Sequence, residues 1–247
     1  MNIEAKTMRG GPGVPVERRV ARHAALADPL RLRITDLVMD SDLSSSELRG
    51  ALGVSSNLLA HHLGVLERAQ VVDRLRSEGD RRRSYVRLRP EVHRMLSLER
   101  MSSPADCPDL RGIVFVCTGN SARSPFAAAL WNRSTQDKPH RVPATSAGTY
   151  PAPRVPERAI EAAQRFGVDL SDHAPRSLEE DPSRGRTIIL CDRAYEELAP
   201  TGPQGGGRRH WAVPNPGRSK AEDAYERVFC EIAERIDLLT PRTESPL

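Results

Sequence analysis

The stretch "GIVFVCTGNSARSPFAAAL", Gly112–Leu130, joins a short continuous apolar run to an Ala-rich run through a turn holding a cysteine, a glycine, an asparagine, an arginine and two serines. An unbroken apolar run of this length suits a strand covered on both faces, and the Ala-rich run that follows suits a helix. The same alternation continues downstream. "TSAGTY" followed by "PERAIEAAQRFGV" reads as a further loop and helix, "RTIILC" as a second buried strand, and "AEDAYERVFCEIAERIDLL" as an amphipathic closing helix. Strands alternating with helices imply an α/β fold, a three-layer α/β/α unit around a central, mostly parallel sheet.

The upstream sequence has a different character. At 247 residues the chain is long enough for two cores, and "SSPADCPD", Ser102–Asp109, with two prolines among small polar residues, is the expected boundary. The division is therefore a tail over 1–17, a first domain over 18–102, a linker over 103–110, a second domain over 111–240 and a tail over 241–247. Hydrophobic residues make up 38% and charged residues 28%, with no apolar run near the roughly 18 residues of a membrane span. The N-terminal "MNIEAKTMRGGPGVP" lacks the apolar core of a signal peptide, so a cytoplasmic protein is expected. Cys107, Cys117, Cys191 and Cys230 show no Cys-x-x-Cys spacing, which argues against a metal site or a disulfide framework. Residues 1–102 carry 18 Lys+Arg against 13 Asp+Glu, and the remainder 19 against 20, so the first half is the expected nucleic-acid partner.

In that half, Arg19–Asp28, Pro29–Asp40 and Glu91–Met101 read as helices, with Pro29 placed where its missing N–H costs least. "SSSELRGALG" and "SSNLLAHHLGVLERAQ" form two short helices turning at Gly53, the second capped by Ser55 or Ser56, in a helix-turn-helix layout. "VVDRLRS" and "SYVRLR" flank the basic tip "EGDRRR" as a hairpin. Ser55, Ser56, Asn57, Ala60 and His61 are placed to face a DNA major groove, with Leu58, Leu59, Leu63 and Leu66 directed inward. Arg81, Arg82 and Arg83 are expected on backbone phosphates. His61 and His62, adjacent on a helix, point apart and do not suggest a ligand pair.

These segments, about residues 18–100, resemble the winged helix-turn-helix of ArsR-type transcriptional regulators. The resemblance implies a mainly α domain with a β-hairpin wing, and a homodimer on a palindromic double-stranded operator with the terminal helices as interface. Metal-sensing members carry a Cys-x-Cys pair where this chain has Ser44 and Ser46. Hydroxyls are poor ligands for thiophilic metals, so sensing at that position is not expected.

In Cys117-Thr118-Gly119-Asn120-Ser121-Ala122-Arg123-Ser124 a strand delivers a thiol to a loop whose N–H groups converge where a helix begins, which makes an anion site. Convergent amides, the helix dipole and Arg123 favour the thiolate, making Cys117 a candidate nucleophile. The Arg123 fork suits two oxygens of a tetrahedral oxyanion, Gly119 permits the tight turn, Ser124 can hydrogen-bond the sulfur, and Asn120 can brace the loop.

This loop and its continuation, about residues 111–240, resemble the low-molecular-weight protein tyrosine phosphatases and the arsenate reductases that share their fold. Both use an aspartate before a proline on a late loop as general acid; the matching "HWAVPNPG" has Asn215 before Pro216. An amide is no proton donor of that kind, and Asp192 and Asp223 are conceivable substitutes. Thioredoxin-linked reductases relay a disulfide through three cysteines. Here Cys191 matches the second position and Leu198 occupies the third, which leaves Cys191 as either a buried structural residue or a resolving thiol. An external small thiol is the expected reductant, and no bound cofactor is expected. Tyr150 and Trp211 are candidates for the pocket wall, while Cys230 and Cys107 are expected to pack or to be incidentally exposed. Two readings stand together: a regulator whose second domain binds arsenate or phosphate, with or without turnover, and an arsenate reductase or phosphatase with the winged helix as accessory.

Overall fold

Capping chemistry sets the first helices. In the computed structural model, which describes residues 15–100, 112–137, 142–180, 186–198 and 208–239, α1 spans Val16–Leu26 and α2 Pro29–Asp40. The Asp28 carboxylate accepts from Arg31 N at 2.9 Å, with Pro29 in the first turn. A two-residue strand β1, Leu43–Ser44, leads into α3, Ser45–Leu52, which opens on a capping box between Ser44 and Glu47 and ends at Gly53 with φ of 66°. The chain turns there into α4, Ser56–Arg68, capped by the Ser55 hydroxyl. The hairpin follows as β2, Val72–Arg76, and β3, Ser84–Leu88, and then α5, Pro90–Arg100. Strand β3 lies between β1 and β2 in an antiparallel sheet. Ile34, Leu48, Leu63, Leu66, Val86 and Val92 form the centre of this domain's core.

The second domain is a four-stranded parallel sheet of order β5-β4-β6-β7, flanked by helices. Its strands are β4, Ile113–Cys117, β5, Ala144–Gly148, β6, Arg186–Ile189, and β7, Arg208–His210. Every residue of β4 is buried, as the unbroken apolar run requires. The helices are α6, Arg123–Thr135, α7, Glu157–Gln164, α8, Asp192–Leu198, and α9, Ala224–Leu239. Phe126 of α6 stacks on Phe229 of α9, ring centres 4.0 Å apart. Among the described residues no helix is long and apolar enough to cross a membrane.

Several features depart from the sequence reading. "TSAG" is strand, not loop: its small residues carry no strand signal, and the ladder to β4 imposes the conformation. β1, β7 and α8 have no legible pattern, being two, three and seven residues long. Helix α1 begins at Val16, ahead of Arg19. Met101, Cys107 and the expected linker lie outside the described residues.

The two domains share an interface of buried polar groups. Tyr85 of β3 is 1% exposed and belongs to the second domain's core. Burial, followed by the neighbouring Glu196, pushes its phenol above the ordinary range, so the hydroxyl stays a donor, to Glu196 Oε1 at 3.0 Å. Asp42 N donates to His210 O at 2.7 Å, covering the edge of β7. The Asp42 carboxylate accepts from Arg235 Nη2 at 2.9 Å and from Ala212 N at 2.7 Å. Burial opposes the charge on Arg235, and Asp42 and Glu231 more than offset it, holding the guanidinium pKa above its usual value. Asp42→Ala, which leaves that cation without its main partner, is expected to destabilise the protein by about 3 kcal/mol. Thermal unfolding of the full chain checks this, and an unchanged midpoint would show that Glu231 alone suffices.

Candidate active site and candidate nucleic-acid interface

The loop after β4 is fixed by backbone bonds from the segment after β5. Thr149 N donates to Cys117 O at 3.2 Å, Tyr150 N to Thr118 O at 2.8 Å and Ala152 N to Gly119 O at 2.8 Å. Asn120 is fully buried at φ of 47°, a left-handed conformation that asparagine tolerates better than most residues. Its amide group holds the loop from both ends. Nδ2 donates to Ser124 Oγ and to Ser146 Oγ, each at 3.0 Å, while Oδ1 accepts from Arg176 N at 2.9 Å. His173 Nε2 lies 3.0 Å from Asn120 O, and burial lowers its pKa, so it serves as a neutral donor there.

Gly148 shows how closely these segments approach. A Cβ there would stand 2.6 Å from Thr118 O and 3.0 Å from both Asn120 N and Asn120 Cβ. Gly148→Ala is therefore expected to displace the loop at a cost of about 1–3 kcal/mol, and oxyanion affinity should fall while the far-ultraviolet circular dichroism stays unchanged. Wild-type affinity in that variant would mean the loop can yield without consequence.

Within this frame Cys117 Sγ is 3.1 Å from Ser124 Oγ. Because Asn120 donates to that oxygen, the serine hydrogen is left for the sulfur or for Ala147 O, 3.3 Å away. Arg123 is anchored through Nη1 to Val213 O at 2.9 Å and to Leu190 O at 3.5 Å, and its Nε and Nη2 N–H groups have no protein acceptor among the described residues. Nor do the amides of Gly119, Asn120, Ser121 and Ala122. A cavity of about 60 Å³ opens against Thr118, Arg123, Cys191, Asp192, Arg193, Asn215 and Arg218. Cys191 Sγ stands 3.4 Å from Thr118 Oγ1. Burial pushes its thiol pKa up, Arg123 pulling against this and Cys117 adding to it.

Asn215 lines the cavity, with its Oδ1 engaged by Gly217 N at 3.0 Å. Of the two candidate substitutes, Asp192 lines the cavity and is 5% exposed, whereas Asp223 pairs with Arg227 away from it. Asp192 is already engaged: Oδ2 accepts from Glu78 N at 2.8 Å, and Oδ1 lies 3.0 Å from Nε2 of the buried His210, off the line of a good hydrogen bond. Tyr150 is exposed beneath Arg193, Trp211 is buried against Arg235, and Cys230 is exposed.

The hairpin enters this site, which the sequence did not disclose. Glu78, from the tip between β2 and β3, completes the cavity wall. Glu78 Oε2 accepts from Asn215 N at 2.7 Å, and its carbonyl accepts from Arg218 Nη1 at 2.9 Å. Ser77 Oγ and Asp80 N each donate to Glu196 at 2.7 Å. An acidic residue in a polar hairpin tip carries no sequence signal for insertion into another domain's pocket.

On the first domain, Ser55, Ser56, Asn57, Ala60 and His61 form an exposed face of α4. Leu59, Leu63 and Leu66 are buried, but Leu58 is 43% exposed, correcting the expected inward face. The buried row runs 59, 62, 63, 66 at helical spacing and takes in His62 instead, whose Nδ1 lies 3.6 Å from Asp28 Oδ1. Arg81, Arg82 and Arg83 are exposed, with Arg82 bonded to Asp80 at 3.0 Å and Arg83 3.7 Å from it. Among the described residues no His, Cys, Asp and Glu cluster could hold a metal ion.

Comparison with known proteins agrees with both halves. Residues 28–74 match the family described as bacterial regulatory protein, arsR family. The chain is 31% identical to arsenate reductase 2 of Staphylococcus saprophyticus over 131 residues, 52% of this chain and 95% of that protein. It is 34% identical to the arsenate reductase of Brevibacillus brevis over 126 residues, 50% of this chain and 90% of that one. A solved arsenate reductase from Archaeoglobus fulgidus is 30% identical, covering 53% of this chain and 99% of its own, with a TM-score of 0.43. Residues 112–244 match the family described as low molecular weight phosphotyrosine protein phosphatase, and with more than half its length in that match the chain belongs to this family, fused to an arsR-type helix-turn-helix segment.

Proposed function

We propose that this chain is a transcriptional regulator that binds double-stranded DNA through α4 and the wing, and whose second domain takes arsenate or phosphate in the Cys117–Arg123 loop and retains arsenate-reductase chemistry. The observation that carries the reading is one continuous loop in which Cys117, hydrogen-bonded to Ser124, is followed by unused amides and by Arg123, which lines a small cavity together with the second thiol, Cys191. The relatives named arsenate reductases support the choice of oxyanion. We place a homodimer contact at α1, where Val16 and Val20 are exposed four residues apart, and the protein in the cytoplasm, where its DNA is.

In the first step the Cys117 sulfur bonds to arsenic and one arsenate hydroxyl leaves as water, carrying the thiol proton. In the second step another thiol attacks the Cys117 sulfur. The S–As bond breaks, its electron pair stays on arsenic, As(V) becomes As(III), and arsenite departs, leaving a disulfide. Asn215 matters less here than for a phosphomonoester, whose alkoxide leaving group needs a proton; phosphatase turnover is expected to lack the roughly 10²- to 10⁴-fold that general acid catalysis supplies.

Incubation with arsenate and a panel of small thiols, following arsenite release, tests the reading. Release supported by one thiol class is the expected outcome; no release at any thiol would leave a binding domain without turnover. The raised thiol pKa of Cys191 gives a further check. If Cys191 is the attacking thiol, release should accelerate as pH rises past the ordinary thiol range, and Cys191→Ser should remove that dependence. An unchanged profile would assign the step to the external thiol.

A further inference from the structure

Glu78 has no part in binding DNA phosphates and none in the arsenate steps above, yet it is among the most tightly held residues at the domain interface. Its N–H is bound by Asp192, its carbonyl by Arg218 and its carboxylate by Asn215 N. A side chain at the neighbouring Gly79 would crowd the docked tip: a Cβ would stand 2.2 Å from Glu196 Oε2, a carboxylate already engaged by Ser77, Asp80 and Tyr85, and 3.2 Å from the Arg193 Cα. The hairpin tip is thus shaped to dock, and what it presents to the cavity is a carboxylate.

That cavity also holds Arg123, Arg193 and Arg218. The Glu78 carboxylate, which accepts from Asn215 N, thus places a negative group in the wall of the pocket that these guanidinium groups line. A second anion entering against Arg123 meets a like charge in a space of only about 60 Å³.

We propose that Glu78 is an intramolecular competitor for the oxyanion, so that filling the Cys117–Arg123 loop and docking the wing oppose one another. The inference rests on the reading of that loop as an oxyanion site and adds the device by which its occupancy reaches the DNA-binding domain. By linkage, the factor by which docking weakens oxyanion affinity is the factor by which oxyanion favours the undocked wing. Arg81, Arg82 and Arg83 follow Glu78 in the same turn, so release of the tip moves the residues proposed to bind DNA phosphates.

Calorimetric titration of inorganic phosphate into the full chain tests this, using wild type, Glu78→Gln and Gly79→Ala, with circular dichroism confirming the fold of each. Glu78→Gln keeps an acceptor for Asn215 N and removes the charge, whereas Gly79→Ala keeps the carboxylate and weakens docking by displacing the Glu196 carboxylate that holds the tip. Both are expected to bind phosphate roughly tenfold or more tightly than wild type. Equal, measurable affinity in all three chains would overturn the competition while leaving the oxyanion site intact, and weaker binding by Glu78→Gln would make Glu78 a contributor to the site. Tightening confined to Glu78→Gln would reduce the effect to local charge and remove the wing from it. No binding by any of the three would overturn the oxyanion reading itself, and this inference with it.

Discussion

Cys117→Ser is expected to bring arsenite release down to the level of thiol and arsenate without protein, a loss of about 10⁴-fold or more, as when other enzymes lose their nucleophile. The reason lies in both steps. A serine oxygen is a far weaker nucleophile at neutral pH, and an O–As bond cannot be broken by an attacking thiol to leave a disulfide, so the two electrons that reduce arsenic have no source. The variant is nearly isosteric and Asn120, Ser124 and Arg123 remain in place, so oxyanion binding should change only a few-fold. Loss of release with retained binding separates nucleophile from cradle. Release that persists in Cys117→Ser would move the nucleophile elsewhere, with Cys191 the first candidate because it lines the cavity against Arg123.

DNA affinity is expected to fall by about 10³- to 10⁵-fold between roughly 50 and 200 mM salt if the protein neutralises about six to ten phosphates. The three arginines of the wing are exposed, and their expected contacts are with backbone phosphates, an electrostatic share of the affinity. Replacing Arg81, Arg82 and Arg83 together by Ala should flatten the slope of log affinity against log salt by about 0.9 for each phosphate that is no longer neutralised, leaving sequence preference unchanged. Asn57→Ala or His61→Ala should do the reverse, keeping the slope and costing about 1–3 kcal/mol of discrimination at one base pair. Binding of DNA selected from a random pool, measured across salt concentrations, distinguishes them. A slope unaffected by the wing substitutions would show that the docked tip does not reach DNA.

The parts of the molecule legible in the sequence are those where local chemistry and tertiary environment agree. The apolar run ending at Cys117 reads as a strand because five apolar residues run unbroken into a glycine-containing loop, and Gly53 and Ser55 mark helix boundaries by local chemistry alone. Illegible parts owe their conformation to distant partners. "ATSAG" becomes β5 by pairing with β4, and β7 holds two arginines because its edge is covered by Asp42 and its flank by Asp40. At the site, the loop could be read because nucleophile, turn and arginine are contiguous. Ser146, His173 and Arg176, which brace it through Asn120, are scattered over 31 residues, and Glu78 arrives from the other domain. Leu58 departs from its expected place for a simpler reason: four leucines of α4 cannot all face inward where helical spacing buries only three of them together with His62.

Fluorescence anisotropy of a selected DNA duplex, titrated with arsenate at constant ionic strength, tests most directly whether the two halves act as one device. The DNA dissociation constant should change by about 5- to 150-fold as the pocket fills, and this change should vanish in Arg123→Ala, which removes the oxyanion fork and alters no residue of α4 or of the wing. A dissociation constant that stays constant while calorimetry shows the pocket saturated with arsenate would contradict the account.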